Sequence, residues 1–222
     1  ELNGLLFYPV QYEGEESSKN VFYTGAAPNQ QAIPATDYYL DELGVKKFAL
    51  LGTDYVYPRT TNKILKQYLI DKGRPESDIF VNYTPFGHSD WSKIVGDVVA
   101  LGADGKKVGV ISTINGDANI GFYKELAAAG IKADDIPVVA FSVGEEELSG
   151  LDTKNLVGHL AAWNYFQSAE SDLNTKFIKK WKAKMGDKRV TNDPMEAHVI
   201  GFEMYVKACL LYTSDAADEV LG

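Results

Sequence analysis

Short apolar runs alternate with amphipathic helical stretches along most of this chain, and this alternation limits its possible folds most strongly. The runs KFALLG (47–52), KVGVIST (107–113) and PVVAFSV (137–143) are apolar at consecutive positions, as in strands covered on both faces. Repeated strand–helix–strand units favour a parallel sheet with helices on both faces. We therefore predict an α/β fold with a doubly wound parallel sheet. Its strands are expected at 47–52, 79–83, 107–113, 137–142 and 156–163, with a further apolar run at 5–10.

The last quarter of the chain is mostly helical in pattern. Apolar residues with helical spacing extend from Met195 to Cys209, and Asp193-Pro194 is typical of a helix start. A helix is therefore predicted from Asp193 to about Cys209. Because Cys209 lies in an apolar part of this pattern, we expect it to be a small buried hydrophobic residue.

Composition excludes two classes of partner. The 222 residues carry 22 basic and 31 acidic side chains, a net charge of −9, and the Lys and Arg residues are not clustered. Phosphate neutralisation needs such clusters, so no nucleic-acid partner is expected. No apolar run approaches the roughly 20 residues that span a bilayer, so no direct membrane insertion is expected.

Polar and aromatic residues follow the predicted strands where they end. In open α/β sheets, ligands bind beyond the carboxyl ends of the strands. Urea and short amides are planar and uncharged, with several N–H donors and one carbonyl acceptor, so they need aromatic walls and hydrogen-bond acceptors. An anionic ligand would instead favour Arg. The residues in or after the strands are Tyr8, Tyr12, Asp54, Tyr55, Tyr57, Thr113, Asn115, Asp117, Ser142 and Glu145.

The sequence offers little for catalysis. His88 lies in a predicted surface loop, and His159 lies in an apolar run where a hydrogen-bonded core histidine is expected. Neither an HExxH nor a GxSxG pattern occurs, and the glycines of LGADGKK precede a strand instead of opening a helix. The three acidic residues at 145–147 favour a solvated helix start, with ligand contact by Glu145 or Glu146 as the alternative. We expect no enzyme activity, no metal and no cofactor.

Several long segments resemble the urea-binding proteins of bacterial urea ABC transporters. A close relative of that group is the family of short-chain amide-binding proteins, which includes a cytoplasmic amide sensor. The resemblance covers residues 1 to about 212. The segments are FYTGAAPNQQ (22–31), GTDYVYPRTTNKILK (52–66), STINGDANIGFYKELAAAGI (112–131), AFSVGEEEL (140–148), GHLAAWNYFQS (158–168) and TNDPMEAHVIGF (191–202).

The resemblance implies a type I periplasmic-binding-protein fold, in which two α/β lobes joined by three crossings hold a ligand between them. Relative to that pattern the chain is expected to lack the first part of the N-terminal lobe. Residues 1–30 would be a remnant of that lobe, 31–192 the C-terminal lobe, and 193–212 a helix returning to the N-terminal lobe. Residues 213–222 do not continue the pattern and are interpreted as an artefactual tail. If so, Leu5, Leu6, Phe7 and Phe202 should be unusually exposed.

The resemblance also implies a ligand site at the same strand ends. The amide-binding pattern places contacts at Tyr8, at the Val10–Gln11 backbone, at Tyr55 and at Ser142, with Tyr57 supporting Tyr55. The wider fold family adds the loops that hold Asn115, Asp117 and Glu145. This chain would hold at most half of the site.

The implied function is that of a receptor for urea or a short-chain amide. It would deliver its ligand to the membrane permease subunits of an ABC importer, from the periplasm or from a lipid anchor on the outer face of the cytoplasmic membrane. Two alternatives remain open: a cytoplasmic amide sensor that regulates gene expression through a protein partner, and an amide hydrolase.

Overall fold

The structure, a computed structural model, describes residues 4–14 and 16–220. The strands are β1 (Leu6–Tyr8), β2 (Val21–Tyr23), β3 (Lys47–Thr53), β4 (Ile79–Thr84), β5 (Val108–Thr113), β6 (Val138–Ala140) and β7 (Leu160–Ala161). The helices are α1 (Ala32–Asp41), α2 (Val56–Asp71), α3 (Ser92–Leu101), α4 (Ala118–Ala128), α5 (Glu145–Leu148), α6 (Asp172–Met185) and α7 (Asp193–Val220). Two 3-10 helices occur at Glu76–Asp78 and Thr153–Leu156.

The main sheet has five parallel strands in the order β4-β3-β5-β6-β7. Its side chains alternate between two cores. Ala49 and Leu51 pack with residues of α3 and α4, whereas Phe48 and Leu50 pack with residues of α1 and α2. Successive strand residues point to opposite faces, so consecutive apolar residues are needed when both faces are covered. The predicted doubly wound parallel sheet with helices on both faces is confirmed.

The last predicted strand is much shorter than expected. The apolar run 156–163 was predicted to be extended, but Leu156 ends a 3-10 helix and only Leu160 and Ala161 pair with β6. Gly158 has a φ of +89°, a left-handed turn conformation that glycine adopts without a steric penalty. His159 follows that turn, and its Nδ1 accepts the Val138 backbone N–H at 3.1 Å, as expected for a hydrogen-bonded histidine.

A second, two-stranded parallel sheet pairs β1 with β2, with Leu6 opposite Val21. Sequence reasoning had not predicted β2, which has only three residues. On one side Phe7 packs against Gly201 and Tyr205 of α7. The side chains of Leu5, Leu6 and Phe202 are 57%, 52% and 67% exposed, as expected, while Phe7 is half-buried.

Helix α7 differs from the prediction in two respects. It continues to Val220, past the predicted end at 212, and Cys209 is exposed instead of buried. The helix contacts β1 along one part of its surface, and the apolar side chains from Phe202 to Tyr212 are exposed. Within the described residues, no helix combines the length and apolar character needed to cross a bilayer.

Gly109 in β5 is expected to be essential for packing α1 onto the sheet. A Cβ at this position would lie 2.5 Å from the Tyr39 ring, and Tyr39 is fully buried. We expect Gly109→Ala to lower the free energy of unfolding by about 1–3 kcal/mol, because the ring has no space to move. Guanidinium denaturation measures this. In the control Gly96→Ala, on α3, the new Cβ meets open space, and stability should be unchanged or higher. Equal stability for Gly109→Ala and the unsubstituted protein would contradict the prediction.

Candidate functional site

The candidate site lies beyond the carboxyl ends of three neighbouring strands. Tyr55 follows β3, Asn115 follows β5 and Ser142 follows β6. In a parallel sheet these ends share one edge, which is why segments distant in sequence meet there. The loop after β1 reaches the same edge, because the Gln11 side-chain N–H donates to the Phe141 carbonyl oxygen at 2.6 Å.

A small polar cavity of about 170 Å³ opens at this edge. Pockets for drug-sized ligands measure roughly 300–1,000 Å³, so this one suits a molecule of a few heavy atoms. It contains amide and hydroxyl groups, one indole and one carboxylate, and no Lys or Arg is among the described residues that line it. The lining residues are Gln11, Asn115, Gly116, Ser142, Glu147, Trp163, Asn192 and Pro194.

Two buried hydroxyl groups near this cavity have no hydrogen-bond partner within the described part of the chain. They are Ser142 Oγ and Tyr57 Oη. The Tyr57 hydroxyl lies close to Ser142, Gln11 and Thr61, yet makes no hydrogen bond of normal geometry with them. Burial raises the pKa of Tyr57 well above its usual range, so this group stays a neutral hydroxyl. A buried unpaired hydroxyl costs about 1–3 kcal/mol, which a bound polar molecule can recover.

The orientation of the Asn115 side chain in the cavity also favours hydrogen bonding to a ligand. Asn115 donates its backbone N–H to Thr53 Oγ1 at 2.9 Å and its side-chain N–H to the Thr113 carbonyl at 3.0 Å. These bonds fix the side chain. Its amide oxygen has no partner in the described part of the chain and so can accept a further hydrogen bond.

Three aromatic rings lie in a row that begins next to Ser142, although none of them lines the cavity. The Tyr55 ring centroid lies 6.3 Å from that of Tyr57 and 5.1 Å from that of Phe86. Tyr55 is half-buried, and burial, followed by the negative charge of Glu13, raises its pKa to about 12. Phe86 is 64% exposed at the tip of the loop between β4 and α3. Neighbouring rings are tilted by 47° and 39° against each other, and we call the three together the aromatic wall.

Tyr8 joins this group from the other sheet. Its hydroxyl donates to Glu13 Oε2 at 2.8 Å. Burial, together with the bond to Glu13, raises the pKa of Tyr8 to about 12. Tyr8 and Tyr55 also lie close enough to influence each other electrostatically. The two sheets therefore contribute to one cluster of hydroxyl groups.

The segment that carries Trp163 and Asn192 is held by buried polar contacts. Trp163 Nε1 donates to the Val143 carbonyl at 2.9 Å, and Asp193 Oδ2 accepts the Tyr165 backbone N–H at 2.8 Å. Burial raises the pKa of Asp193, although hydrogen bonds from the backbone oppose that shift. Since Asp193 starts α7, these bonds fix the loop against that helix and keep Asn192 in the cavity wall.

Six of the nine predicted site residues do not line this cavity: the tyrosines Tyr8, Tyr55 and Tyr57 described above, and Val10, Asp117 and Glu145. Asp117 is exposed just before α4, and Val10 is 42% exposed. The carboxylate of Glu145 accepts the Gln167 backbone N–H at 2.6 Å and faces a separate, mainly apolar cavity. The predicted helix start at 145–147 is present as α5, but Glu147, not Glu145, reaches the polar cavity.

The remaining predicted residues come together in space. Gln11, Asn115 and Ser142 line the cavity, while Tyr57 links them to Tyr55. Tyr8 is linked to the group through Glu13. Sequence reasoning missed five residues of this region: Glu13, Phe86, Glu147, Trp163 and Asn192.

The histidine predicted to lie in a surface loop is more buried than expected. The His88 ring packs edge-on against Trp91 with centroids 4.9 Å apart, and its Nε2 is buried. Trp91 is buried in the core, and because the His88 ring packs against it, that ring is partly buried as well. Across residues 4–14 and 16–220, no group of three or more His, Cys, Asp or Glu side chains has an arrangement that could hold a metal ion.

Comparison with known proteins identifies related folds. The family model described as "Periplasmic binding protein domain" matches residues 1–222. An amino acid ABC transporter substrate-binding protein from Pseudomonas fluorescens Pf-5 is 18% identical, with a TM-score of 0.69 over 90% of this chain and 52% of that one. A solute-binding protein from R. palustris, in complex with 4-hydroxybenzoate, is 22% identical, with a TM-score of 0.70 over 85% of this chain and 50% of that one.

A leucine-binding protein from Thermotoga maritima MSB8 is 16% identical, with a TM-score of 0.64 over 86% of this chain and 51% of that one. The chain thus spans about half the length of the solved structures it matches. At these identities the similarity shows a shared fold, that of type I periplasmic binding proteins.

Proposed function

The chain belongs to the periplasmic binding protein domain family, and from this premise we propose that it is part of the solute-binding component of an ABC importer for urea or a short-chain amide. In this proposal the ligand is held between two lobes. Residues 31–192 belong to one lobe, and residues 1–30 and 193–212 belong to the other. The receptor acts in the periplasm or on the outer face of the cytoplasmic membrane, and its partners are the permease subunits.

The observation that carries the proposal is the small polar cavity with the unpaired Ser142 hydroxyl. Its volume of about 170 Å³ suits a molecule of few atoms. A hydroxyl can donate to a ligand carbonyl, while amide oxygens and the Glu147 carboxylate can accept ligand N–H groups. The cavity offers no cation for a carboxylate ligand among its described residues. A neutral amide carries both a carbonyl acceptor and N–H donors, so it offers partners to both kinds of group.

The neighbouring folds support the receptor class but not the ligand. Two of the matched proteins are a solute-binding protein in complex with 4-hydroxybenzoate and a leucine-binding protein. Both of these ligands carry a carboxylate, which a lining with Glu147 and without Lys or Arg disfavours. We therefore propose that the chain shares the role of reversible solute binding. The polar cavity without a basic residue among its described lining favours uncharged amides as ligands.

Calorimetry on the full-length protein tests this proposal. Urea, acetamide, formamide and leucine are titrated separately, and ammonia release is measured in parallel with urea. We expect reversible 1:1 binding of at least one amide, no ammonia release and weaker binding of leucine. Leucine binding more tightly than every amide would contradict the ligand class, and steady ammonia release would contradict a receptor.

The variant Ser142→Ala locates the site. Removing this hydroxyl leaves the ligand carbonyl without a donor in a buried place, which costs about 1–3 kcal/mol, or roughly ten- to a hundredfold in affinity. Ser149→Ala is a matched control, because Ser149 is exposed and its hydroxyl donates to the Glu146 carbonyl instead of facing the cavity. Equal affinity in Ser142→Ala and Ser149→Ala would place the ligand elsewhere.

A further inference from the structure

Glu13 lies between the two tyrosines of the site. It follows β1 in the loop 9–14, is half-buried, and accepts the Tyr8 hydroxyl proton at 2.8 Å. Its negative charge also acts on Tyr55 and raises the pKa of that group. Glu13 has no ion pair within 4.0 Å in the described part of the chain, so no basic residue explains its position.

The local packing keeps Glu13 in this position. The next residue, Gly14, faces the first turn of α2, where a Cβ on it would lie 3.6 Å from Val56 and 3.9 Å from Thr60. Tyr55 caps the start of the same helix. The loop after β1 is thereby held against the start of α2, which brings Glu13 to Tyr55 while β1 brings Tyr8.

The hydrogen bond from Tyr8 to Glu13 has a chemical consequence for any ligand. A tyrosine hydroxyl has one proton to donate and lone pairs that accept. A carboxylate is the stronger acceptor, so the Tyr8 proton is committed to Glu13. The Tyr8 oxygen then offers a ligand only lone pairs. A ligand with N–H groups can donate to it, whereas a carboxylate of the same shape meets a second acceptor and a nearby negative charge.

We propose that Glu13 is a specificity-determining positioning residue, which fixes the Tyr8 hydroxyl as a hydrogen-bond acceptor and thereby selects ligands rich in N–H donors over isosteric carboxylates. This inference rests on the proposed amide-binding function and extends it. It assigns the rejection of anions to Glu13, which acts through Tyr8. Neither residue lines the polar cavity at Ser142, so the proposal requires a ligand that extends from that cavity to the Tyr8 hydroxyl.

A double-mutant cycle on the full-length protein tests the proposal. Glu13→Gln, Tyr8→Phe and the double variant are titrated with urea by calorimetry, after circular dichroism and thermal melting confirm that each is folded. Because the charged hydrogen bond is lost, Glu13→Gln is expected to weaken urea binding by about tenfold. Tyr8→Phe should have a similar effect, and the double variant should be no weaker than Tyr8→Phe.

Glu16→Gln is the matched control. Glu16 is an exposed carboxylate three residues after Glu13, and its backbone pairs with the Tyr12 hydroxyl. Its side chain makes no hydrogen bond to Tyr8, and its charge is the smallest of the influences that raise the pKa of Tyr8. Urea affinity should stay within about twofold in this variant, because exposed charges contribute little. A tenfold loss in Glu16→Gln would show that general charge, not the Tyr8 contact, controls binding and would overturn the proposal.

Acetamide and acetate provide a readout that a structural role would not change. They have nearly the same shape, but only acetamide carries N–H groups. The preference for acetamide should fall at least several-fold in Glu13→Gln and in Tyr8→Phe. If Glu13→Gln does not fold, the test rests on Tyr8→Phe alone. An unchanged preference for acetamide over acetate in that variant would overturn the proposal.

The remaining outcomes separate this inference from the function on which it rests. Wild-type urea affinity in Glu13→Gln, or independent multiplying losses in the double variant, would overturn the role of Glu13 and leave amide binding intact. A full-length wild-type protein that binds no amide would overturn both.

Discussion

Replacing Tyr55 with alanine in the full-length protein is expected to weaken urea binding by roughly ten- to a hundredfold. The substitution removes a half-buried ring from the wall formed with Tyr57 and Phe86. It also removes a hydroxyl next to Glu13. Both the flat surface and one polar contact are lost, so the effect should be at least as large as that of Ser142→Ala. Calorimetric titration with urea measures the change.

Tyr55→Phe separates the two contributions. This variant keeps the ring and loses only the hydroxyl, so its affinity should lie between that of the wild type and that of Tyr55→Ala. Tyr38→Ala, on the exposed side of α1, is a suitable control because Tyr38 is 46% exposed and belongs to neither cavity nor wall. Wild-type affinity in Tyr55→Ala would refute the aromatic wall.

The sequence predicted the central sheet well because its strands carry unusually clear patterns. In β3 and β5, consecutive residues are buried on opposite faces, so the apolar run itself shows a strand covered on both sides. The run at 156–163 is also mainly apolar, but only Leu160 and Ala161 form a strand there. Gly158 turns the chain there with a left-handed conformation. Glycine adopts left-handed and right-handed conformations about equally readily, so the sequence alone does not predict this turn.

Part of the candidate site could also be located from the sequence. Tyr55, Asn115 and Ser142 follow strand ends, and sheet topology alone brings those positions together. Glu147 was missed in favour of Glu145 because the two lie in one short helix, where only the helix rotation decides which carboxylate faces the cavity. Trp163 and Asn192 come from segments whose approach depends on the loop held by Asp193. Local sequence carries no pattern for such an approach.

The division into lobes remains a prediction. Two separate sheets are present, and the exposed apolar side chains of Leu5, Leu6 and Phe202 lie on the smaller sheet and α7. Exposed apolar surface of this kind is typical of a region that packs against further protein. The candidate site combines residues from the loop after β1 with residues of the main sheet, as a ligand site between two lobes would require.

Trp91→Ala should have the largest effect on stability, lowering the free energy of unfolding by about 3–5 kcal/mol. Trp91 is 1% exposed and packs against Phe122, with centroids 5.2 Å apart, in the core between the sheet and α3 and α4. Gly121 lies directly against the indole, so the backbone of α4 cannot approach further to fill the space. Guanidinium denaturation of the substituted and unsubstituted chains measures the loss.

Trp91→Phe should recover most of this stability. The smaller ring still fills much of the space, and the substitution removes an indole N–H that has no acceptor among the described residues. Phe86→Ala is the control in the same loop, because Phe86 is 64% exposed and its loss should change stability by no more than about 0.5 kcal/mol. If Trp91→Ala were as stable as Phe86→Ala, Trp91 would not be the anchor of the loop that carries the aromatic wall.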